Sequence, residues 1–227
     1  MTSLERFQDT FLNPVVIDKY WPLILDGMRV TLELALAVVV TGVAAGLALA
    51  CLRSLKIRGI NFVIVCFADV LRALPPLVLI LLIYFGFPNI GILLSGPMVV
   101  YVVLSLVLAA FSEEIFWAGI TSVEKGQWEA ARSTGLGFGQ TLGHVVLPQA
   151  VRLALPPLTN RAIAITKMTA LGTVIGVPEI LYQATSAQSF SGNASPLTLG
   201  ALAYVVLFLP FVVLARWLES RFAWRKA

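Results

Sequence analysis

Residues 97–120 read PMVVYVVLSLVLAAFSEEIFWAGI, a stretch whose only charged residues are Glu113 and Glu114. A helix needs roughly 20 predominantly apolar residues to cross the hydrocarbon core of a bilayer. This stretch is long enough, so it predicts a transmembrane helix. It also sets the class of the whole chain, because several other windows share its character.

The composition points to the same class. Hydrophobic residues make up 59% of the 227 residues and charged residues only 12%, whereas a soluble domain carries roughly 25% charged residues. An ordinary soluble domain is therefore excluded, and a net charge of +4 is too small to indicate nucleic-acid binding. Cys51 and Cys66 lie in apolar stretches, so we expect packing residues rather than a disulfide or a metal site.

Five windows have the length and composition of a membrane span, and they predict an all-α integral membrane protein. The second window holds Asp69 and Arg72, and its Pro75 and Pro76 should kink the helix. We expect an N-terminal interfacial segment at 1–22, a transmembrane domain at 23–218 and a basic tail at 219–227. The predicted spans are 28–52, about 60–85, about 97–120, about 158–177 and about 197–218.

The basic residues predict the orientation, since cytoplasmic segments are enriched in Lys and Arg. The N-terminal segment 1–27 and the predicted loops 87–96 and 178–196 contain only two basic residues, Arg6 and Lys19. They and the N-terminus should therefore lie outside. Apolar residues at helical spacing in segment 1–22 fit either an interfacial helix or a frayed tail. The C-terminus should be cytoplasmic, on the side that holds Arg53, Lys56, Arg58, Lys125, Arg132, Arg152, Arg216, Arg221, Arg225 and Lys226.

The connection from about 121 to 157 is the only long cytoplasmic segment, and such segments are usually functional. It reads EAARSTG at 129–135 and VVLP at 145–148. We expect a short helix over 122–134, a turn at the glycines 135, 137 and 139, and a second helix over 140–147 ended by Pro148. Two short helices joined by a turn make a compact knob.

This connection resembles the EAA loop of permease subunits of ATP-binding-cassette importers, E-A-A-x3-G-x9-I-x-L-P. The matching residues are Glu129, Ala130, Ala131, Gly135, Leu147 and Pro148. The stretches SVEKGQW at 122–128, LPPLTN at 155–160, VIGVPEI at 174–180 and IYFG at 83–86 are similar to those of polar amino-acid permeases. The resemblance covers roughly 28–218.

The resemblance implies a type I importer permease in the bacterial inner membrane. It implies that the six matching residues couple the chain to an ATPase subunit, present twice per complex. It also implies a second permease subunit, identical or a sister chain, and a binding protein that delivers an amino acid or related polar solute. The chain has no phosphate-binding loop of the form G-x4-G-K-[ST]. We therefore expect no enzyme activity, cofactor or metal in this chain, with ATP and Mg²⁺ on the partner ATPase.

Ionisable residues inside the predicted spans are functional candidates, because burying a charge in a bilayer is costly. They are Asp69, Arg72, Glu113, Glu114, Arg161 and Lys167. Asp69 and Arg72 are three residues apart on one helix face, which favours an ion pair; the alternative is that they contribute to the solute pathway. Glu113 and Arg161 depart from the family pattern together, which favours an ion pair between spans three and four; the alternative is that both are solvated at the interface.

Lys167 matches a Lys of the polar amino-acid permeases, but Met168 and Trp117 replace polar residues of that pattern. A zwitterionic amino acid is the expected substrate, and a less polar derivative is the alternative. The lone histidine, His144, is expected to be a surface or docking residue.

Three other functions fit the sequence less well than an importer permease. An ion- or proton-coupled secondary transporter or channel would use Asp69, Glu113, Glu114 or Lys167 as a relay. A membrane enzyme is disfavoured, because the chain has no H-E-x-x-H and a single His. A membrane scaffold is disfavoured by the charges within the spans.

Overall fold

The protein is described by a computed structural model that covers residues 2–222, and within that range it forms helices and no strands. The all-helical class is confirmed. The helices are α1 (Ser3–Phe11), α2 (Pro14–Ser54), α3 (Arg58–Ala73), α4 (Pro76–Gly86), α5 (Gly96–Ser122), α6 (Lys125–Ser133), α7 (Phe138–Thr141), α8 (Leu147–Lys167), α9 (Ile180–Ser191) and α10 (Ser195–Phe222).

Three helical stretches in this range are long and apolar enough to cross a membrane: 3–54, Gly96–Ser122 and Ser195–Trp217. Two bent helix pairs raise the number to as many as five if each pair counts as one span. The pairs are α3 with the helical stretch Pro76–Ile90, and the stretch Phe138–Ile175 with α9.

Helix α2 is longer than the window 28–52 that predicted it. Its 41 residues span about 60 Å at 1.5 Å per residue, twice the thickness of a hydrocarbon core. The helix begins at Pro14, where a proline is tolerated because the first helical N–H has no partner, and it continues through Pro22. The expected boundary after residue 22 therefore falls inside a helix.

The kink expected at the proline pair is confirmed. Leu74 has extended backbone angles, as a residue before proline prefers, and Pro76 begins α4. The two helical stretches meet at an angle of 99°.

Pro148 does not end the second knob helix, so that prediction is wrong. The Leu147 N–H donates to Leu142 O in a π-helical turn over Leu142–Val146, and α8 then runs to Lys167 through Pro156 and Pro157. Proline disrupts the hydrogen bond to residue i−4, whereas a π turn bonds to residue i−5, so the helix continues through Pro148 without a break. The window at 158–177 thus covers the second half of α8 and the residues that follow it.

The segment 178–196, expected to be a loop, is mostly helix α9. A 3₁₀ helix over Met168–Ile175 ends at Gly176, whose φ of +76° favours glycine. The Glu179 carboxylate then caps α9 by accepting hydrogen bonds from the Leu181 and Tyr182 N–H groups. The sequence hid this helix because its small and polar residues lack a clear apolar face.

The described residues form two compact units. One contains residues 2–38, Pro76–Leu104 and Ile165–Val212. Its core includes Ile24, Ile180, Ala184 and Ala203.

The other unit contains Val39–Pro75, Ser105–Ala164 and residues 213–222. Two glycines bring its helices close together. A Cβ on Gly46 of α2 would lie 2.4 Å from Ser112 Cβ of α5, and one on Gly119 would lie 2.7 Å from Ala150 O of α8. Its core comprises Ala50, Phe116, Ile120, Val123, Leu142, Val146, Ala150, Ala154 and Leu158.

Candidate functional site

The knob is formed by α6, the turn after it and the helical residues up to Pro148. Gly135 N–H donates to Arg132 O at 3.0 Å, and the φ of Gly135 is +90°, a backbone conformation that β-branched residues resist. Across the turn, the Trp128 and Phe138 rings stack with centroids 5.5 Å apart. The turn and the ring pair together fix the angle between the two knob helices.

The knob is anchored on the end of α5 rather than suspended on a flexible loop. Leu142 and Val146 are buried in one cluster with Phe116 and Ile120 of α5 and with Val123, which follows α5 directly. Buried apolar side chains pack closely in protein interiors and leave few voids. The knob is therefore held against α5 by a buried apolar contact.

The six residues predicted to couple the chain to an ATPase lie on or beside the knob surface. Glu129, Ala130, Gly135 and Pro148 are exposed, and Ala131 and Leu147 are half-buried. A small side chain at position 130 leaves the outer face of α6 open to close approach. His144 is also exposed, with its Nδ1 3.0 Å from Gln140 O.

The ion pair predicted between Asp69 and Arg72 is confirmed, with Arg72 Nη1 3.7 Å from Asp69 Oδ1. The structure adds a third member, because Arg72 also donates to the Glu114 carboxylate. One guanidinium thus joins two carboxylates from α3 and α5, and all three side chains are at least one-third exposed. We call Asp69, Arg72 and Glu114 the charge cluster.

The structure does not bring Glu113 to Arg161, so that predicted pair is wrong. The fully buried Glu113 carboxylate instead accepts from Arg53 Nη1 at 2.9 Å, and the Arg53 guanidinium lies 4.6 Å from the Trp117 ring centroid. The close approach of α2 to α5 at Gly46 explains this choice, since Arg53 follows two turns later on the same face of α2. Arg161 lies over the Phe111 ring at 4.0 Å.

Lys167 belongs to the first unit, where its ammonium group lies 5.9 Å from the Phe208 ring centroid. The same unit holds Glu179, a fully buried carboxylate that sequence reasoning did not single out. Thr173 Oγ1 donates to it at 2.6 Å and the Tyr204 hydroxyl at 2.7 Å. These bonds join the 3₁₀ helix, α9 and α10, which indicates a structural role.

Sequence reasoning also missed Arg53 and Phe111 as parts of the site. Arg53 was read only as a marker of the cytoplasmic side, and Phe111 was one apolar residue among many. Phe111 contacts two cations, since the Arg72 guanidinium lies 5.7 Å and the Arg161 guanidinium 4.0 Å from its ring centroid. In residues 2–222, no group of three or more His, Cys, Asp or Glu side chains is placed to hold a metal ion.

Comparison with known proteins gives a consistent result. The family model described as "Binding-protein-dependent transport system inner membrane component" matches residues 29–224. The probable amino-acid ABC transporter permease protein YckA of Bacillus subtilis is 38% identical, and the match covers 81% of each chain. The probable glutamine ABC transporter permease protein GlnP of the same organism is 35% identical, covering 86% of this chain and 92% of that protein.

A solved structure is also similar. A chain of the crystal structure of an amino acid ABC transporter with histidines superposes with a TM-score of 0.82 and is 34% identical. The match covers 91% of this chain and 97% of that one.

Proposed function

Because the chain belongs to the family of binding-protein-dependent transport system inner membrane components, we propose that it is the permease subunit of a type I ABC importer for an amino acid or a related polar solute. The observation that carries the proposal is the knob, whose exposed Glu129 and Ala130 lie on α6, and whose second segment is buried in the helix core through Leu142 and Val146. The similarity to amino-acid permeases supports the substrate class.

The proposed complex contains two ATPase subunits, a second permease subunit and a substrate-binding protein. ATP and Mg²⁺ bind the ATPases, which supply the chemistry of hydrolysis. In this chain, Glu129, Ala130, Ala131, Gly135, Leu147 and Pro148 form the contact with an ATPase. When the ATPases close and part, each knob moves with its ATPase, and the helices packed on it change between outward-open and inward-open states.

We place the chain in the bacterial inner membrane with five spans, which counts each bent helix pair as one. The N-terminus is outside and the knob and the tail at 219–227 are cytoplasmic, as the distribution of Lys and Arg indicates. Helix α1 lies in the outer interface, since Leu4, Phe7 and Phe11 are exposed on one side and such amphipathic helices bind at bilayer surfaces. The hydrogen bond from Ala194 N–H to Thr10 O at 3.0 Å ties α1 to the start of α10.

The charge cluster is proposed to line the path of the solute. Exposed charges on membrane helices must face water or a partner subunit, because exposure to lipid is too costly. Arg72 offers a cation for a carboxylate, and Asp69 and Glu114 offer anions for an ammonium group, which suits a zwitterion. Arg161 adds a second cation to this region, since it lies over the Phe111 ring that Arg72 also contacts.

Uptake measurements test the function against a proton-coupled alternative. Vesicles that contain the complex should accumulate the solute only with ATP inside and with the binding protein outside. Collapse of the proton gradient by an ionophore, with ATP held constant, should leave uptake unchanged. Uptake that stops with the ionophore, or that continues without ATP, would establish a secondary transporter instead.

Cysteine labelling tests the topology. A single cysteine at Gly126 or Gly143, both exposed in the knob, should react with a membrane-impermeant maleimide only after the cells are opened. A cysteine at Gln8 of α1 should react in intact cells. The reverse pattern would overturn the proposed orientation.

A further inference from the structure

A cavity of about 470 Å³ lies between the knob and the ends of the helices that carry it. Of the six residues proposed to contact the ATPase, Glu129 lines the cavity and the other five do not. Three structural elements form its walls: the turn after α2, the end of α5 and the knob.

The charges of this cavity favour an anion. Lys56, Lys125 and Arg132 line it together with one acid, Glu129, which leaves a net charge of +2. The three cations come from the turn after α2 and from α6, and within residues 2–222 no ion pair with a carboxylate engages any of them. Unneutralised cations that converge on one cavity attract phosphate groups.

Lys56 adds an independent observation. Its φ of 59° makes it the only residue other than glycine with a positive φ in the described part of the chain. This left-handed conformation is disfavoured for a lysine, and strained residues of this kind cluster at functional sites. Glycine would adopt this conformation without strain. The lysine supplies a cation to the cavity, although its backbone is in a disfavoured conformation.

The remaining walls are apolar and aromatic. Trp117, Ile120 and Val123 contribute from the α5 end, and the stacked Trp128 and Phe138 contribute from the knob. A site that combines cations with an apolar and aromatic wall suits an amphiphile rather than a free anion. Tryptophan side chains are also the residues that prefer the headgroup level of a bilayer.

We propose that this cavity binds the phosphate headgroup of an anionic phospholipid of the cytoplasmic leaflet. The proposal rests on the proposed function in one respect, the cytoplasmic position of the knob. Lipid is favoured over a segment of an ATPase subunit, because Trp117, Ile120 and Val123 at the end of the apolar helix α5 form one wall of the cavity beside its cations. Basic pockets at this level bind acidic lipid headgroups in other membrane proteins. The bound lipid would steady the turn after α2 against the knob.

Native mass spectrometry of the full-length chain in detergent tests the proposal without an ATPase. The chain is titrated with dioleoyl phosphatidylglycerol or dioleoyl phosphatidylcholine. We expect phosphatidylglycerol to bind at least tenfold more tightly. The double variant Lys56→Asn with Lys125→Gln should lower that affinity by about tenfold or more, as the loss of two cations near a headgroup predicts. Asparagine tolerates the left-handed conformation of position 56.

The double variant Arg58→Gln with Arg152→Gln is the matched control. It removes the same charge from exposed positions that do not line the cavity, so it should bind phosphatidylglycerol as the parent chain does. Equal affinity for the two lipids, or equal losses in the two double variants, would overturn the proposal.

Two further measurements separate the other occupants. Glycerol 3-phosphate should not displace phosphatidylglycerol at equal concentration, and full displacement would assign the cavity to a free phosphate ester instead. Co-purification of the ATPase should be the same for both double variants. If the Lys56→Asn, Lys125→Gln variant loses the ATPase and keeps its lipid affinity, the cavity belongs to the subunit contact and the lipid proposal is wrong.

Because the titration uses neither ATP nor solute, its outcome is independent of whether the chain imports an amino acid. A chain that binds phosphatidylglycerol and fails the uptake experiment would refute only the proposed function. A chain that transports and shows no lipid preference would refute only this inference.

Discussion

The Glu113 carboxylate shows how strongly one residue depends on its partner. It is fully buried, and the only ion-pair partner it has among the described residues is Arg53, whose side chain is 18% exposed. The sequence identified Glu113 as unusual but assigned it the wrong cation. That assignment rested on two departures from a family pattern. The actual partner is determined by the close packing of α2 on α5, which cannot be read from any single residue in the sequence.

Removal of either partner should destabilise the protein. Arg53→Gln leaves a buried carboxylate without its cation, a loss of about 3–5 kcal/mol for buried pairs, and Glu113→Gln should have a smaller effect because Arg53 keeps its contact with Trp117. The double variant Arg53→Met with Glu113→Leu should recover most of the stability. Thermal unfolding in detergent measures all three, and Arg161→Gln serves as the control. Losses that simply add in the double variant would contradict the pair.

The charge cluster makes a separate prediction for transport. Charge-assisted hydrogen bonds are worth roughly 1.5–3 kcal/mol, so Glu114→Gln or Arg72→Gln should lower the uptake rate by about tenfold or more. Arg58→Gln, an exposed charge on the same helix as Arg72, should leave the rate unchanged. Membrane insertion is checked by surface labelling. Normal uptake in both cluster variants would remove Asp69, Arg72 and Glu114 from the proposed path.

At the scale of the helix, the sequence predicted the knob better than the helices around it. The turn at Gly135 and the first knob helix follow from glycine spacing and flanking polar residues. The passage of the chain through Pro148 could not be foreseen, because the π turn that accommodates it depends on how Leu142 and Val146 pack against α5. Helix α9 was missed for a similar reason, since its helical form depends on the Glu179 cap and on burial of its alanines.

The packing of α2 on α5 can be tested at one glycine. A Cβ at position 46 would lie 2.8 Å from both Ala109 O and Glu113 N, so Gly46→Ala forces two helix backbones apart. We expect a loss of about 1–3 kcal/mol, as overpacked cores show, and a weaker Arg53–Glu113 contact.

Gly59 of α3 provides the matched control, because nothing lies within 4 Å of a Cβ built there. Gly59→Ala should leave the midpoint of thermal unfolding unchanged or slightly higher, since alanine favours a helix over glycine. If both alanine variants unfold at the parent temperature, α2 and α5 are not held together at Gly46.

For the molecule as a whole, composition and charge distribution were sufficient to predict a helical membrane protein, and spacing was sufficient to indicate its family. They were not sufficient to place the ends of the helices. The window 28–52 follows the hydrocarbon thickness, but α2 extends beyond it to Pro14, and its first half packs through Ile24 and Gly27 onto residues around Glu179 and Ile180. Hydropathy predicts which residues face lipid, and it does not predict such contacts between helices.

The central claim is that the knob passes ATPase motion to the membrane helices. Gly135→Val places a β-branched residue at a φ of +90°, and Glu129→Lys reverses an exposed charge on the proposed ATPase contact. Gly139→Ala is the control, because position 139 has an open surrounding and no positive φ. All three variants should insert in the membrane as the parent chain does.

ATP-driven solute uptake is the measurement that decides it, recorded in cells that express each variant at the same membrane level. We predict that uptake falls by about tenfold or more in Gly135→Val, because backbone strain costs of the order of 1–3 kcal/mol, and in Glu129→Lys, because a charge-assisted contact worth roughly 1.5–3 kcal/mol is lost. Gly139→Ala should transport at the parent rate. If Gly135→Val and Glu129→Lys both insert normally and transport at the parent rate, the knob does not couple ATP hydrolysis to transport.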